Sequence, residues 1–525
     1  FSTVQNLRNF WEFHEVLVGI ITFILVWSCI RRPTRYPPGP RGVPILGVLP
    51  FLSKYPEREF LVWSKRYGSL LSVSIAWQRW IVLNDYDITM EVLVKNRMIF
   101  NMRPAIRFYQ EALDPLGIVF SPGGAIWKAH RTFGTRAIRA RLLDFYILLF
   151  HSIGQERMEK LIMTEIDYFI AELEKHNKKS FDIQDTLTHS IANVMCRFTL
   201  GERFDYKDVR FKKLVGCIIH VGKVTKDWKT MFLTLLSPLA HIWPFTRHVN
   251  EFKNAMKTFN DQIRIMVEEQ QSSFNGIEVR NMIDAYLLKS QSFVSCNEKY
   301  TVEVSVQDIV GFFSDLFIAG TETLSSQLRW GFLIMMLNPE CQENVRNEIH
   351  AVIGGNGRAR LSDRYRMPYT CAVIQEIFRF RTLGALSLPR TNVVDVEIEG
   401  CKIPKGSKVI LNTWAIHNDE RNWENPQKFI PERHLDKDNF INSKKVLPFS
   451  VGARSCLGEQ LARAEIFFFF VATLQQFELK FDPNAQVPSL DDASNGVIFS
   501  PNPYTMIVER INEDRSNNNN NSKVI

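Results

Sequence analysis

Cysteine is scarce and scattered: the eight in 525 residues stand at positions 29, 196, 217, 296, 341, 371, 401 and 456, never closer than 21 positions. No Cys-x-x-Cys zinc or redox spacing is available, and the pattern suits a reducing compartment with most thiols buried and inert. Internal repeats, a P-loop, Gly-x-Ser-x-Gly and His-Glu-x-x-His are also lacking. The glycine cluster Gly354-Gly355-Asn356-Gly357 follows a helical pattern, the wrong place for a dinucleotide loop. Charge is nearly balanced, 64 basic against 56 acidic side chains for a net +8. That excess suits an anionic membrane surface or an acidic protein partner and is too diffuse to argue for nucleic acid. With 45% hydrophobic and 23% charged residues, disorder, collagen and coiled coil are excluded for the chain as a whole.

Long apolar runs are rare too. Val16 to Ile30 is broken only by Thr22 and Ser28, and Phe10, Trp11 and Phe13 precede it. The run falls short of the ~20 residues that span a bilayer, but the aromatic flank extends it through the interface. Arg31 and Arg32 follow it and Glu12 and Glu15 come before, so the positive-inside rule places the amino end outside and the bulk of the chain in the cytosol. The rival, a cleaved secretory signal, calls for basic residues before the run and small ones at its end. The numbering opens on Phe1 rather than Met, which reads as a processed or incomplete end. Pro37, Pro38, Pro40 and Pro44 make the next stretch an extended, semi-rigid hinge, and the Asn517 to Asn521 run reads as a disordered tail. The expected divisions are an anchor over 1–31, a hinge over 32–44, one large body over 45–511 and a tail over 512–525.

The body is mainly helical in period, with short extended stretches near residues 70–83 and 388–411. Ser305 and Asp308 have capping-box spacing, and the apolar pattern after them runs to Leu337 before Asn338-Pro339 stops it. At 1.5 Å per residue, roughly 32 residues cross a whole domain, so this helix is expected to be central.

The sharpest chemical signal is Phe449-Ser450-Val451-Gly452-Ala453-Arg454-Ser455-Cys456-Leu457-Gly458, with a helical run from Glu459 to about Phe477. Gly452 permits a tight loop, and Cys456 falls at the amino end of the next helix, where the macrodipole favours thiolate. An anionic sulfur suits a ferric haem, and the electron density it pushes favours O–O cleavage. A lone cysteine here would read as buried and structural; Phe449, Gly452, Arg454 and Gly458 at fixed spacing reverse that.

At these residues the chain resembles the cytochrome P450 family, whose haem signature is Phe-x-x-Gly-x-Arg-x-Cys-x-Gly. Glu376-Ile377-Phe378-Arg379 matches the family's Glu-x-x-Arg, and Phe429-Ile430-Pro431-Glu432-Arg433 resembles the segment whose arginine joins that pair in a buried network. Trp127-Lys128-Ala129-His130-Arg131 is similar to the family's Trp-x-x-x-Arg. With Arg390 and Arg454, Trp127 and Arg131 make four donors for the two haem propionates. Each arginine alone would pass for a surface charge. Ala319-Gly320-Thr321-Glu322-Thr323 resembles the oxygen-activation motif, which implies Thr323 as the alcohol and Glu322 as the proton-relaying acid. The plain alternative is a kinked core helix with Thr323 bonded back to its own carbonyls. Three departures from the family pattern stand out: Leu324 where a second hydroxyl is common, which bears on how water reaches Glu322; His434 for the usual Phe, bearing only on local packing; and Thr132 for a frequent second Arg.

The resemblance covers Tyr36 to about Ile511 and implies a mainly α fold with small β-sheets, a long central helix, a Cys-ligand loop and a single N-terminal transmembrane helix. It implies b-type haem with Cys456 as axial ligand, and monooxygenation of a lipophilic steroid, fatty acid or xenobiotic at the endoplasmic reticulum membrane, on the cytosolic side. NADPH electrons come through NADPH-cytochrome P450 reductase, with cytochrome b5 as a further partner. Lys128, Arg139, Arg141, Lys444 and Lys445 are docking candidates, or simply solvated charges. The expected substrate lining is Phe312, Phe313, Ala319, Leu383, Leu386, Val497, Ile498 and Phe499, although a core would look equally apolar. Trp228, Met231, Phe232, Leu235, Leu236, Trp243 and Phe245 suit either a second, interfacial membrane contact or core packing. The rival functions are a haem-thiolate isomerase acting on hydroperoxides and a non-catalytic haem-binding membrane protein.

Overall fold

Two runs of apolar and β-branched residues, Leu70–Ile75 (β1) and Gln78–Leu83 (β2), pair antiparallel with Val73 opposite Trp80. The computed structural model describes residues 33–511 except 77, 114–116, 139–152, 244, 294–303, 438 and 492, and, before residue 33, His14 and residues 17–19. The anchor over 1–31, the tail over 512–525, and Arg139 and Arg141 thus lie wholly or almost wholly outside the described residues. Among the described residues no helix is long and apolar enough to cross a membrane.

The body expected as one domain divides into two compact units, because the chain leaves the first at Pro104 and returns to it at Leu386. The returning segment completes the sheet: Arg390–Thr391 (β3) and Lys408–Leu411 (β4) give the order β1-β2-β4-β3, with β2 and β4 parallel. Helix α1 (Pro56–Tyr67) lies against β1, with proline at its first turn, acids Glu57 and Glu59 near its start and Lys65 and Arg66 near its end. Prolines lack an N–H but keep their carbonyls. The Ser72 amide and hydroxyl donate to Pro38 and Pro37 at 2.7 and 2.6 Å, so the proline-rich stretch read as a hinge is fastened along β1.

The second unit, residues 105–385 and 416–525, is helical. Its longer helices in chain order are α2 (Ala125–Ile138), α3 (Ile153–Lys175), α4 (Gln184–Leu200), α5 (Val209–Thr225), α6 (Trp228–Leu235), α7 (Phe245–Ser273) and α8 (Met282–Phe293). Then come α9 (Val306–Leu337), α10 (Pro339–Ile353), α11 (Pro368–Phe380) and α12 (Glu459–Gln476). The Ser305–Asp308 capping box is formed, and α9 runs 32 residues to the Asn338-Pro339 stop. It packs against α4, α5, α7 and α12, and from Leu324 to Met336 every side chain is buried. A helix buried all round needs neighbours all round, and its polar members Ser326 and Arg329 find partners there in Ser500 and the Asn502 carbonyl. Gly320 has its reason in the same crossing: a Cβ there would stand 2.8 Å from the Met195 sulfur of α4. In α12, Ile466 to Val471 are all buried, between α3, α9 and α10. Strands Phe477–Phe481 (β5) and Met506–Arg510 (β8) pair antiparallel, and Ala493–Asn495 (β6) with Phe499–Pro501 (β7) form a hairpin between them in sequence.

Candidate active site

The Cys456 loop turns at Gly452, whose φ of 78° belongs to the left-handed region that glycine enters without strain. The Cys456 amide closes the loop onto the Phe449 carbonyl at 2.8 Å. Phe449 in turn is held edge-on to Phe378 of α11, ring centroids 5.5 Å apart, with the Arg463 guanidinium of α12 4.8 Å from its ring. Gly458 is the N-cap of α12. The Cys456 side chain is exposed at the loop. The protein packed around it pushes its thiol above the ordinary range, while the Gly458 amide and the Arg131 and Arg463 charges pull toward thiolate.

Helix α2 presents Trp127 and Arg131 one turn apart. Arg131 donates to the Ser455 hydroxyl at 3.2 Å, beside the cysteine. Arg454 stacks on Trp127 and donates to the carbonyls of Ser121 and Pro122 at 2.9 and 3.0 Å. From the α9 side, Asp315 accepts the Val119 amide at 2.7 Å, so residues 118–122 are strapped by one arginine and one carboxylate. The sequence reading missed Asp315; its signal was an acid four and eight residues before Ala319 and Thr323 in an otherwise apolar run. Burial raises its carboxyl to about 7 against the Val119 and Ile118 amides.

Glu376 and Arg379 meet as their spacing predicts, in a bidentate pair at 2.7 and 2.8 Å with both side chains fully buried. Arg433 Nε joins at 3.1 Å. His434, read as a matter of packing alone, also enters: its Nε2 lies 2.9 Å from Glu376 Oε2, so it is a member of the network. Arg379 reaches the carbonyls of His417 and Pro426, and the His417 ring accepts the Leu447 amide at 2.7 Å while bonding Thr382 at 2.6 Å. The network thus holds the strand of chain that leads into Phe449.

On α9, Asp315, Ala319 and Thr323 share one face, and all three keep some exposure in mid-helix. The Thr323 hydroxyl donates to the Ala319 carbonyl at 2.5 Å. Glu322 turns aside: it pairs with Lys226 and accepts from Ser326 at 3.3 Å. Leu324 is buried in the core. Phe312 and Phe313, expected in the substrate lining, are fully buried instead. Phe312 packs among His130, Phe133 and Tyr286 and Phe313 against Tyr286, because that side of α9 faces α2 and α8. Leu383 does meet the hairpin, its carbonyl accepting the Phe499 amide at 2.8 Å, and Val497, Ile498 and Phe499 are half-buried. Arg390 and Leu386 belong to the first unit. Both are buried, and Arg103 there donates to the carbonyls of Leu388 and Pro389 at 2.8 and 2.9 Å. Of the aromatic and aliphatic set offered for a membrane, Leu235 and Leu236 are core, Met231, Phe232 and Phe245 are half-buried, and Trp228 and Trp243 stand 54% and 86% exposed.

A cysteine loop braced by a buried Glu-Arg network, with an acid-alcohol pair on a helix of the same unit, is the residue set of a haem-thiolate protein. The cytochrome P450 family model matches residues 37–508, and the chain belongs to that family. It is 32% identical over 493 residues to cytochrome P450 2J2 of Homo sapiens, covering 93% of this chain and 94% of that one. Cytochrome P450 2U1 of Homo sapiens is 29% identical over 528 residues, covering 94% and 93%, and cytochrome P450 2J1 of Oryctolagus cuniculus 32% over 474 residues, covering 89% and 90%. The protein is therefore a cytochrome P450 monooxygenase, and the family's haem fits the residues present. The Trp127 indole N–H is buried without a hydrogen-bond partner among the described residues, as a donor reserved for an acidic group is.

Proposed function

We propose that the chain inserts one oxygen atom from O2 into a C–H bond of a lipophilic small molecule, a steroid, fatty acid or xenobiotic, using NADPH electrons passed on by a separate reductase. The carrying observation is the acid and alcohol of α9 in the same unit as the Cys456 loop. Haem, when bound, would supply the iron for O2 chemistry. Cys456 Sγ would hold that iron, and Trp127, Arg131 and Arg454 would hold the propionates. Phe449, Gly452 and Gly458 fix the loop, and Glu376, Arg379 and Arg433 brace it. Thr323 holds a proton at its hydroxyl and Glu322 renews it. Ala319, Leu383, Val497, Ile498 and Phe499 offer the apolar surface that orients the substrate and excludes water.

Exposed Lys128 and Lys444 suit the acidic face of a reductase or of cytochrome b5, whereas Lys445 is tied to Asn422 at 2.8 Å. Trp228 and Trp243 suit the interface of the endoplasmic reticulum membrane, with residues 1–31 as anchor and the catalytic units on the cytosolic side. Reconstitution with reductase, NADPH and isotopically labelled O2 tests the reading: one labelled atom enters the product, only with NADPH. Product formed from a hydroperoxide alone would make the chain an isomerase, and no product from either source across a lipophilic panel would leave a binding protein.

A further inference from the structure

Three parts of the second unit converge on the last turn of α5. Lys226, its C-cap, pairs through Nζ with Glu322 Oε1, and the two side chains are only 17% and 8% exposed. Gly222, one turn earlier, leaves the room the carboxylate fills: a Cβ there would stand 2.9 Å from Glu322 Cδ and nearer still to Oε2. The Thr225 carbonyl accepts the Val497 amide at 3.0 Å, and Gly496 is packed so tightly on Thr225 and Lys226 that a Cβ would meet their backbone. The turn that grips the acid therefore also carries the hairpin tip that holds Val497 and Ile498. The same oxygen, Glu322 Oε1, also accepts from Ser326, whose hydroxyl shares a 2.7 Å hydrogen bond with Ser500 of β7.

We propose that Lys226 is a positioning residue that locks Glu322 against α5, so that release of the acid toward Thr323 depends on a ligand seated against Val497 and Ile498. The inference rests on the proposed function, in which Glu322 renews the proton of Thr323. Neighbouring residues on a helix point about 100° apart, so Glu322 must swing to serve Thr323, and a nearly buried lysine makes that swing costly. Pressure on the hairpin tip passes through the Val497–Thr225 hydrogen bond to the turn that bears Lys226. Paired with Lys226 the group is a carboxylate; once released it takes up one proton from water, passes one proton toward the Thr323 hydroxyl and returns to the carboxylate, and no electrons move in this step.

The test uses the full chain with haem and reductase, with the iron-ligating lipophilic azole miconazole as the probe ligand. In wild type, miconazole changes amide deuterium exchange over residues 222–228 and 496–500 together, and NADPH consumption without a ligand is slow. Lys226→Met should uncouple the two segments, raise ligand-free NADPH consumption and peroxide release about fivefold, and shrink the deuterium solvent isotope effect on that consumption. Lys226→Arg should restore all three. Gly222→Ala, which displaces the carboxylate while keeping the lysine, should act in the same direction as Lys226→Met and stands in for it if that variant loses haem. Wild-type exchange and wild-type consumption in both Lys226→Met and Gly222→Ala overturn the lock. Glu322→Gln separates the two ideas: if it leaves product per NADPH unchanged, the acid assignment itself fails. If it lowers that ratio while Lys226→Met behaves as wild type, only the lock fails.

Discussion

The guanidinium carbon of Arg454 lies 3.9 Å from the centroid of the Trp127 ring, while the indole N–H of that ring is buried with no hydrogen-bond partner among the described residues. The face of the tryptophan is used by the protein and its edge is held for something else. Trp127→Phe keeps a face for Arg454 and removes only the edge donor. Haem should then dissociate about tenfold faster, the worth of one hydrogen bond to a charged group at ~1.5 kcal/mol, in a transfer assay to a haem-scavenging protein. An unchanged rate would take Trp127 out of the haem site.

The Glu376 network sets how stability depends on pH. Burial alone would raise this carboxyl; hydrogen bonds from Arg379 and His434 overcome it and hold the group at about 2, below its ordinary 4.5. Its contribution is therefore complete above pH 4.5 and is lost as pH falls from there toward 2. His417 acts at higher pH. Burial, aided by the Arg379 charge, holds its ring down to about 3 against an ordinary 6.5, so its contribution is complete above pH 6.5 and declines below it. Asp315, raised to about 7, acts in the opposite sense over this range, so the His417 share is read by difference: wild type should lose thermal stability relative to His417→Asn as pH falls from 6.5 to 4.5. His434→Phe should cost about 1–3 kcal/mol at pH 7 by removing one donor from a buried carboxylate. A difference between wild type and His417→Asn that stays flat from pH 6.5 to 4.5 would contradict the His417 assignment.

Phe312 and Ile498 should separate core from lining. Phe312→Ala should destabilise the fold by about 3–5 kcal/mol in chemical denaturation and leave the order of ligand preference by optical titration unchanged. Ile498→Ala should change that order with a far smaller loss of stability. The opposite pattern would return Phe312 to the substrate site.

Thr323→Ala should keep haem and ligand binding while misdirecting protons. Product per NADPH should fall more than NADPH consumption, peroxide should appear, and an artificial oxygen-atom donor should partly restore product. Unchanged coupling would leave Gly320 to Thr323 as a bend in a helix.

How much could be read from the sequence depended on the range of each signal. Helix α9 has its predicted ends because Ser305–Asp308 and Asn338-Pro339 act within a few residues of themselves. Glu376 and Arg379 meet because three positions on a helix are neighbours by construction. The sequence does not say which face of α9 is core when apolar residues ring it, so Phe312 and Phe313 passed for lining. Nor does local spacing foretell that Lys226 reaches Glu322, or that His434 turns onto Glu376. Those pairs are fixed by helix crossings and by the path of the loop after α11. The two-unit division escaped for a related reason: strand pairing of residues 408–411 with 80–83 joins positions some three hundred apart.

The central claim is that Cys456 binds haem iron through its sulfur, and the optical spectrum of the reduced carbon monoxide complex tests it most directly. Wild type should show the strongly red-shifted band that thiolate ligation gives in this family. Cys456→Ser should lose that band, whereas Cys196→Ser and Cys371→Ser should each keep it. A Cys456→Ser protein that retains the band would contradict the ligand assignment and the site built around it.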